Sequence, residues 1–452
     1  MCRFTDCCIA IIWPTLVRSE LIFLTDPKAL CIDGSKAAYH HEKGFGEGES
    51  KWFVFFEGGG WCFSHSSCYE RASTDRGSTM IAPGRQLSDH DNYFSRNETK
   101  NGMFNWNMVF VIYCDGGSFS GNSNVVYNGT KLYYSGHNIL LAFLKDLQRR
   151  IGVSQGTKEI IVSGSSAGGL SALIHIDKFQ QFFPEAIISG LPDSAFFPAL
   201  DETLCRDNYK HSMIRLIQFM NSSESLPHNC ISPLNTSSNI KTGNDRTACI
   251  FAFNLLRSIQ TPIFSLQSKY DIWNIKEAMC LSFRSQRKRI EDFGSKFALH
   301  YFDAFREASP LHGGVLDSSP RHATYDKNWM PYDHWNKLKF PVTPEGNQLV
   351  SSDGNTVAID SKRKPTTSKT EQELFWIWYK HRIAYGNRYK NMSRVQQAKL
   401  VKRFTPTKGE GEGGLIADED AGIFQGRIYL QRNSHLDYFN FDFESASGER
   451  EK

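Results

Sequence analysis

The sequence predicts an α/β fold, a doubly wound and mostly parallel sheet with loop or cap insertions, and three observations predict it. First, several short apolar runs are unbroken rather than alternating, as strands covered on both faces are: WFVFF at residues 52–56, MVFVIY at 108–113, EIIVS at 159–163 and PIFSLQ at 262–267. Second, Ile139, Leu140, Phe143, Leu144, Leu147 and Ile151 recur at helical spacing with Lys145, Asp146, Arg149 and Arg150 opposite. That is the pattern of an amphipathic crossover helix. Third, turn-forming residues follow the runs at Glu57-Gly58-Gly59-Gly60, Cys114-Asp115-Gly116-Gly117, Gly164 and Asp271. In open α/β sheets the functional groups collect at these carboxyl ends of strands.

Other segments complete the outline. Residues 296–302 read as a further strand-like run, and the Ser/Asn-rich segment 221–244 as a surface loop or cap insertion. Residues 7–17 (CCIAIIWPTLV), after Arg3, have the length of a signal-peptide core, although Asp6 and Pro14 are atypical of one. The expected organisation is a leader over 1–22, a catalytic-type domain over 23–390 and a tail over 391–452 with the flexible stretch KGEGEGG at 408–414.

Composition excludes several classes. A formal charge of +4 is small for 452 residues, so no polyanion partner is implied, and the run Lys362-Arg363-Lys364 before Pro365 reads as a solvated loop rather than a nucleic-acid patch. Nothing reaches the roughly 18 apolar residues of a membrane span. Of 11 cysteines, Cys2, Cys7 and Cys8 lie in the leader; the other eight form an even set that fits four disulfides, with pairing left open. None is spaced C-x-x-C and no H-E-x-x-H occurs, so no zinc is expected. Five sequons, at Asn97, Asn128, Asn221, Asn235 and Asn391, point with the cysteines to the secretory route.

The chemistry centres on Gly164-Ser165-Ser166-Ala167-Gly168, between the run EIIVS and a helical pattern. A serine hydroxyl is a weak nucleophile until a base takes its proton. A strand–turn–helix elbow presents it above the sheet on a tight backbone that needs small neighbours. Ser166 holds that position; Ser163 and Ser165 are runners-up. The triple-glycine turn after WFVFF fits the second half of an oxyanion hole. Gly59, Gly60 and Ala167 are the candidate donors, and Trp61 the candidate wall of an acyl pocket. Elbow enzymes run Ser, then Asp or Glu, then His. Asp271 follows PIFSLQ and His322 lies in the loop GGVLDSSPRH, which makes them the candidate acid and base. Asp193 is a rival acid or a pocket-shaping residue together with Phe196; His312 and His334 are rival bases, and His175 lies too far down the elbow helix.

Together the stretches DGSKAAYHH, WFVFFEGGGWC, FNWNMVFVIYCDGGSFSG, VSGSSAGGLSALIH, SGLPDSAFF, TPIFSLQSKYDIWNIK, GGVLDSSPRHATY and ELFWIWYKHR resemble the pectin acetylesterase and Notum carboxylesterase family, in family order, over roughly residues 30–385. The resemblance implies an α/β-hydrolase-like fold and a Ser/Asp/His triad on Ser166, Asp271 and His322. It implies an oxyanion hole from the glycine turn and the residue after the serine, and secretion with disulfides. No metal or organic cofactor is implied. YCDGGSFSG is more similar to the plant and microbial pectin acetylesterase branch than to animal Notum. Two positions depart: Ser319 stands where the family carries a cysteine, and Pro192 precedes Asp193.

The expected function is therefore ester hydrolysis, on an acetylated polysaccharide in the leading reading and on an acylated protein, as in Notum, in the alternative. A third reading, an inactive relative serving as a binding module, is opposed by the retained Ser166, Asp271 and His322. Oligomeric state is not set by the sequence.

Overall fold

The computed structural model of the chain describes residues 19–81, 87, 93–150, 156–227, 230, 246–318, 320–323, 348–350, 356–358, 371–403, 428–432 and 435–439. Its centre is a ten-stranded sheet. The strands are β1 (Glu20–Phe23), β2 (Ala38–Glu42), β3 (Lys51–Phe56) and β4 (Asn107–Val111), then β7 (Glu159–Ser165), β8 (Ile187–Asp193), β9 (Phe264–Ser268), β10 (Gly313–Asp317), β13 (Ile428–Arg432) and β14 (His435–Phe439). β5 (Ser123–Tyr127) and β6 (Thr130–Tyr134) make a separate hairpin, and β11 (Gln348–Val350) pairs with β12 (Thr356–Ala358).

The spatial order is β1-β2-β4-β3-β7-β8-β9-β10-β13-β14. From β4 to β13 every pairing is parallel, and antiparallel strands close both edges. This is the doubly wound α/β architecture that unbroken apolar runs predict. β3 shows why the runs are unbroken: Trp52, Val54 and Phe56 feed one core, while Phe53 and Phe55 feed the other. The first face is covered by α2 (Gly136–Arg150), α3 (Ala167–Phe182) and α6 (Arg287–Glu307). The second is covered by Leu374, Phe375 and Tyr379 of α7 (Glu371–Tyr385), with Tyr93 and Phe94. The remaining helices are α1 (His65–Ala72), α4 (Tyr209–Phe219), α5 (Ala252–Leu255) and α8 (Arg394–Arg403).

One expectation is corrected. Residues 296–302 are not a strand but part of α6, whose buried residues Ile290, Phe293, Phe297, Tyr301 and Phe305 follow helical spacing. Phe297, Leu299 and Tyr301 imitate alternation only over that short window. The strand before the His322 loop is β10 instead. At one edge of the sheet Glu20–Phe23 pair with β2. Toward the other, β13 covers the edge of β10, where unpaired backbone groups call for a partner. Residues 1–18, the stretch 408–414, Lys362–Lys364, Ser319, Asn235 and His334 lie outside the described residues.

The eight remaining cysteines pair as Cys31–Cys114, Cys62–Cys68, Cys205–Cys280 and Cys230–Cys249. Two of these act near the sheet's carboxyl end: the first fixes the loop after β4, and the second closes the turn between Trp61 and α1.

Candidate active site

Parallel strands deliver their loops to one end, and four of those loops meet there. β7 ends in the elbow. Ser166 sits at φ 57°, a left-handed conformation that a non-glycine residue adopts only when its surroundings enforce it. The enforcement is visible: the Ser166 amide donates to the Asp193 carbonyl at 2.9 Å. A side chain on Gly164 would stand 2.3 Å from the Gly168 oxygen, and one on Gly168 2.0 Å from the Phe56 oxygen. Glycine at both positions lets α3 start directly against β3.

The Ser166 hydroxyl lies 2.8 Å from His322 Nε2, and His322 Nδ1 lies 2.8 and 3.0 Å from the two Asp271 carboxylate oxygens. Asp271 is 1% exposed and accepts the Asn274 amide at 2.9 Å. A carboxylate that accepts from Nδ1 leaves Nε2 free to accept the serine proton, so the arrangement can turn Ser166 into a nucleophile.

The His322 loop is held from both sides. The Ile272 amide donates to the Arg321 carbonyl at 3.1 Å, and the Ala323 amide donates to Ser194 Oγ at 2.9 Å. Arg321, 9% exposed, reaches Asp317 at the end of β10 and donates to Glu371 at the start of α7 at 2.7 Å, with Asp193 at 3.9 Å. Burial pushes the Glu371 carboxyl up to about 8, with Asp317 and Asp193 adding to the rise and Arg321 opposing it. Three carboxyls thus share one guanidinium. Arg321→Met is expected to destabilise the fold by about 3–5 kcal/mol, because it leaves buried carboxylates without their cation. Urea unfolding checks this, and an unchanged midpoint would contradict it.

On the opposite wall, the amides of Gly59, Gly60 and Ala167 donate to no acceptor among the described residues. Ala167 opens α3, whose first-turn N–H groups carry the positive end of the helix dipole. Ser118 couples the wall to the helix: its Oγ donates to the Ala167 carbonyl at 2.9 Å and accepts the Trp61 indole N–H at 2.8 Å.

Trp61 belongs to an aromatic cluster. Its ring lies 4.8 Å from Phe197, 5.5 Å from Trp273 and 5.8 Å from Tyr209; Phe197 and Tyr209 lie 5.2 and 5.3 Å from Trp273. Phe197 and Trp273 also face His322, at 6.4 and 6.3 Å. Phe196, the expected pocket residue, points away and packs against Phe253 and Tyr301 at 5.3 and 4.8 Å. Asp193 is wholly buried; Tyr93 donates to it at 3.3 Å, and it supports the elbow and the Arg321 cluster. Phe197 and Trp273, beside the quoted Phe196 and Asp271, had no distinguishing sequence signal, nor did Arg321 beside His322.

Neither His312, the rival base among the described residues, nor His175 approaches Ser166 within hydrogen-bonding distance. His175 is wholly buried, with Nε2 3.3 Å from the Ser118 carbonyl. His312 is 1% exposed, accepts the Ile263 amide at 3.3 Å and donates to the Ile259 carbonyl at 3.2 Å. Burial lowers its pKa to about 4. The folded state keeps it neutral while the unfolded chain protonates it from about 6.5 downward. Its contribution is therefore complete above that value and lost as pH falls through 4, a loss of about 3 kcal/mol. Thermal midpoints measured from pH 7 to pH 4 should fall less in His312→Gln, which can keep both bonds; parallel curves would contradict this assignment.

Residues 15–308 match the family described as Pectinacetylesterase, a span that ends before His322. The chain is 32% identical over 252 residues to pectin acetylesterase 7 of Arabidopsis thaliana, covering 56% of this chain and 61% of that protein. It is 29% identical over 289 residues to palmitoleoyl-protein carboxylesterase notum2 of Xenopus laevis, covering 62% and 58%. The chain thus spans about three fifths of the length of the curated relatives it matches. A crystal structure of the Wnt deacylase Notum from Drosophila superposes with a TM-score of 0.56 at 20% identity, covering 68% of this chain and 86% of that one, which shows a shared fold.

Proposed function

This chain belongs to the pectinacetylesterase family, and from that premise we propose that it is a serine carboxylesterase that removes short acyl groups, acetyl above all, from a polysaccharide. The observation that carries the reading is the line Ser166–His322–Asp271, with 2.8 Å at both junctions. His322 takes the proton of Ser166 as its Oγ attacks the ester carbonyl. The oxyanion that forms accepts from the amides of Gly59, Gly60 and Ala167. His322 then returns the proton to the departing sugar hydroxyl, and water, activated by the same imidazole, clears the acyl-enzyme. Every bonding change is made by side chains and backbone of this chain, with no cofactor in the sequence of steps.

The short-acyl preference rests on the aromatic cluster. The rings of Trp61, Phe197, Trp273 and Tyr209 pack against one another beside His322 at centroid separations of 4.8 to 5.5 Å, which supports a small acyl group over a long one. We expect kcat/KM to fall about 100-fold or more from p-nitrophenyl acetate to the palmitate ester, since each methylene that finds no room removes binding rather than adding it. Release of acetate from acetylated polygalacturonan tests the sugar substrate. A preference for octanoate or palmitate would sink the short-acyl reading and favour an acylated protein as substrate.

Secretion is part of the same proposal. Four disulfides fit an oxidising compartment. The described sequon residues Asn97, Asn128, Asn221 and Asn391 are all exposed. Among the described residues, no helix is long and apolar enough to cross a membrane.

A further inference from the structure

Three successive carbonyls of the glycine turn are gripped from behind. Arg76 Nη1 donates to the Gly58 oxygen at 2.9 Å, Arg71 Nη2 to the Gly59 oxygen at 2.9 Å, and the Tyr113 hydroxyl to the Gly60 oxygen at 2.8 Å. No peptide bond of the described chain is cis. In a planar trans peptide the C=O and the following N–H point in opposite directions. Fixing the oxygens of Gly58 and Gly59 therefore aims the amides of Gly59 and Gly60 to the other side of the turn. The turn itself lies against the nucleophile elbow: a side chain on Gly58 would stand 2.4 Å from the Ser165 oxygen and 3.1 Å from Ser166 Cβ.

The two arginines are themselves braced. Arg71 Nε donates to the Arg76 carbonyl at 3.0 Å, and its guanidinium lies 5.2 Å from the centre of the Tyr113 ring. Arg76 forms an ion pair with Glu57, whose other oxygen accepts the Tyr113 amide at 2.9 Å. A turn with glycine φ angles of 146° and 65° has no local preference for one orientation of its peptides. Something outside it must choose.

We propose that Arg71 and Arg76 are positioning residues of the oxyanion hole, holding the peptides 58–59 and 59–60 so that their N–H groups stay aimed at the oxygen of the tetrahedral intermediate. The inference rests on the esterase reading. A guanidinium on each carbonyl also polarises the peptide and strengthens its N–H as a donor.

The test uses the full chain with Arg71→Ala and Arg76→Ala, and with Arg71→Lys and Arg76→Lys should an alanine variant fail to fold. Hydrolysis of p-nitrophenyl acetate and inhibition by 1,1,1-trifluoroacetone, which forms a tetrahedral adduct on the serine, are measured side by side. Each alanine variant is expected to lose about 10- to 100-fold in kcat with KM changed less than about twofold, because loosening a donor costs less than the 10²–10³ of removing one. The ketone should lose affinity by the same factor as kcat/KM, and added guanidinium ion should restore part of both. The lysine variants should fall between wild type and alanine. Folded variants with unchanged kcat, or with lowered kcat and unchanged ketone affinity, overturn the inference while leaving the esterase reading intact. A wild type that neither hydrolyses the ester nor binds the ketone overturns both.

Discussion

Ser166→Ala is expected to lower kcat on p-nitrophenyl acetate by about 10⁶-fold while KM stays within a few-fold of wild type. The variant deletes the oxygen that lies 2.8 Å from His322 Nε2 and little else. Alanine meets the same backbone demand as serine at φ 57°, so the elbow keeps its shape, and the donors at Gly59, Gly60 and Ala167 are untouched. What survives should be the modest rate that an oxyanion hole gives to direct attack by water. The measurement is the initial rate at high enzyme concentration, with circular dichroism to show that the fold is kept. A variant that retains more than a hundredth of the wild-type rate would place the nucleophile elsewhere.

Asp271→Asn is expected to cost about 10⁴-fold in kcat, an effect that follows from which atom the new amide must present to the imidazole. The Asn274 amide needs an acceptor on this side chain at 2.9 Å, so the asparagine oxygen stays at the position of Oδ1. Its NH₂ then falls where Oδ2 stood, 2.8 Å from His322 Nδ1. Nδ1 must now accept, the ring proton moves to Nε2, and His322 can no longer take the proton of Ser166. Asp193→Asn gives the control, since Asp193 touches the elbow and the Arg321 cluster but not His322. A larger loss in kcat for Asp193→Asn than for Asp271→Asn would exchange their roles.

The legible part of this protein was what short-range pattern encodes. Strands covered on both faces must be apolar at every position, so β3, β4, β7 and β9 stood out. An elbow needs small residues at fixed offsets, so Ser166 did too. Asp271 was reachable because it follows an apolar strand, and His322 because the fold places a histidine after the acid in chain order. Some misses were local, and the others came from contacts between segments distant in sequence. Helix α6 was half read as a strand because three of its residues alternate by chance over a window shorter than two turns. Phe197 rather than Phe196 faces His322, and nothing in the sequence separates two adjacent phenylalanines. Arg321 beside the base, and Arg71 and Arg76 behind the glycine turn, were ordinary charges in the sequence; only the folded chain brings them onto three carboxyls and two carbonyls. The cysteine pairing was open for the same reason, with Cys31 and Cys114 separated by 83 residues.

The most direct test is the covalent one. Folded protein is treated with a fluorophosphonate, and the modified peptide is identified by mass spectrometry. The account predicts a single adduct on Ser166, formed at a rate that Asp271→Asn lowers in step with kcat. No adduct on well-folded protein, or an adduct on Ser163, Ser165 or any other residue in place of Ser166, would contradict it.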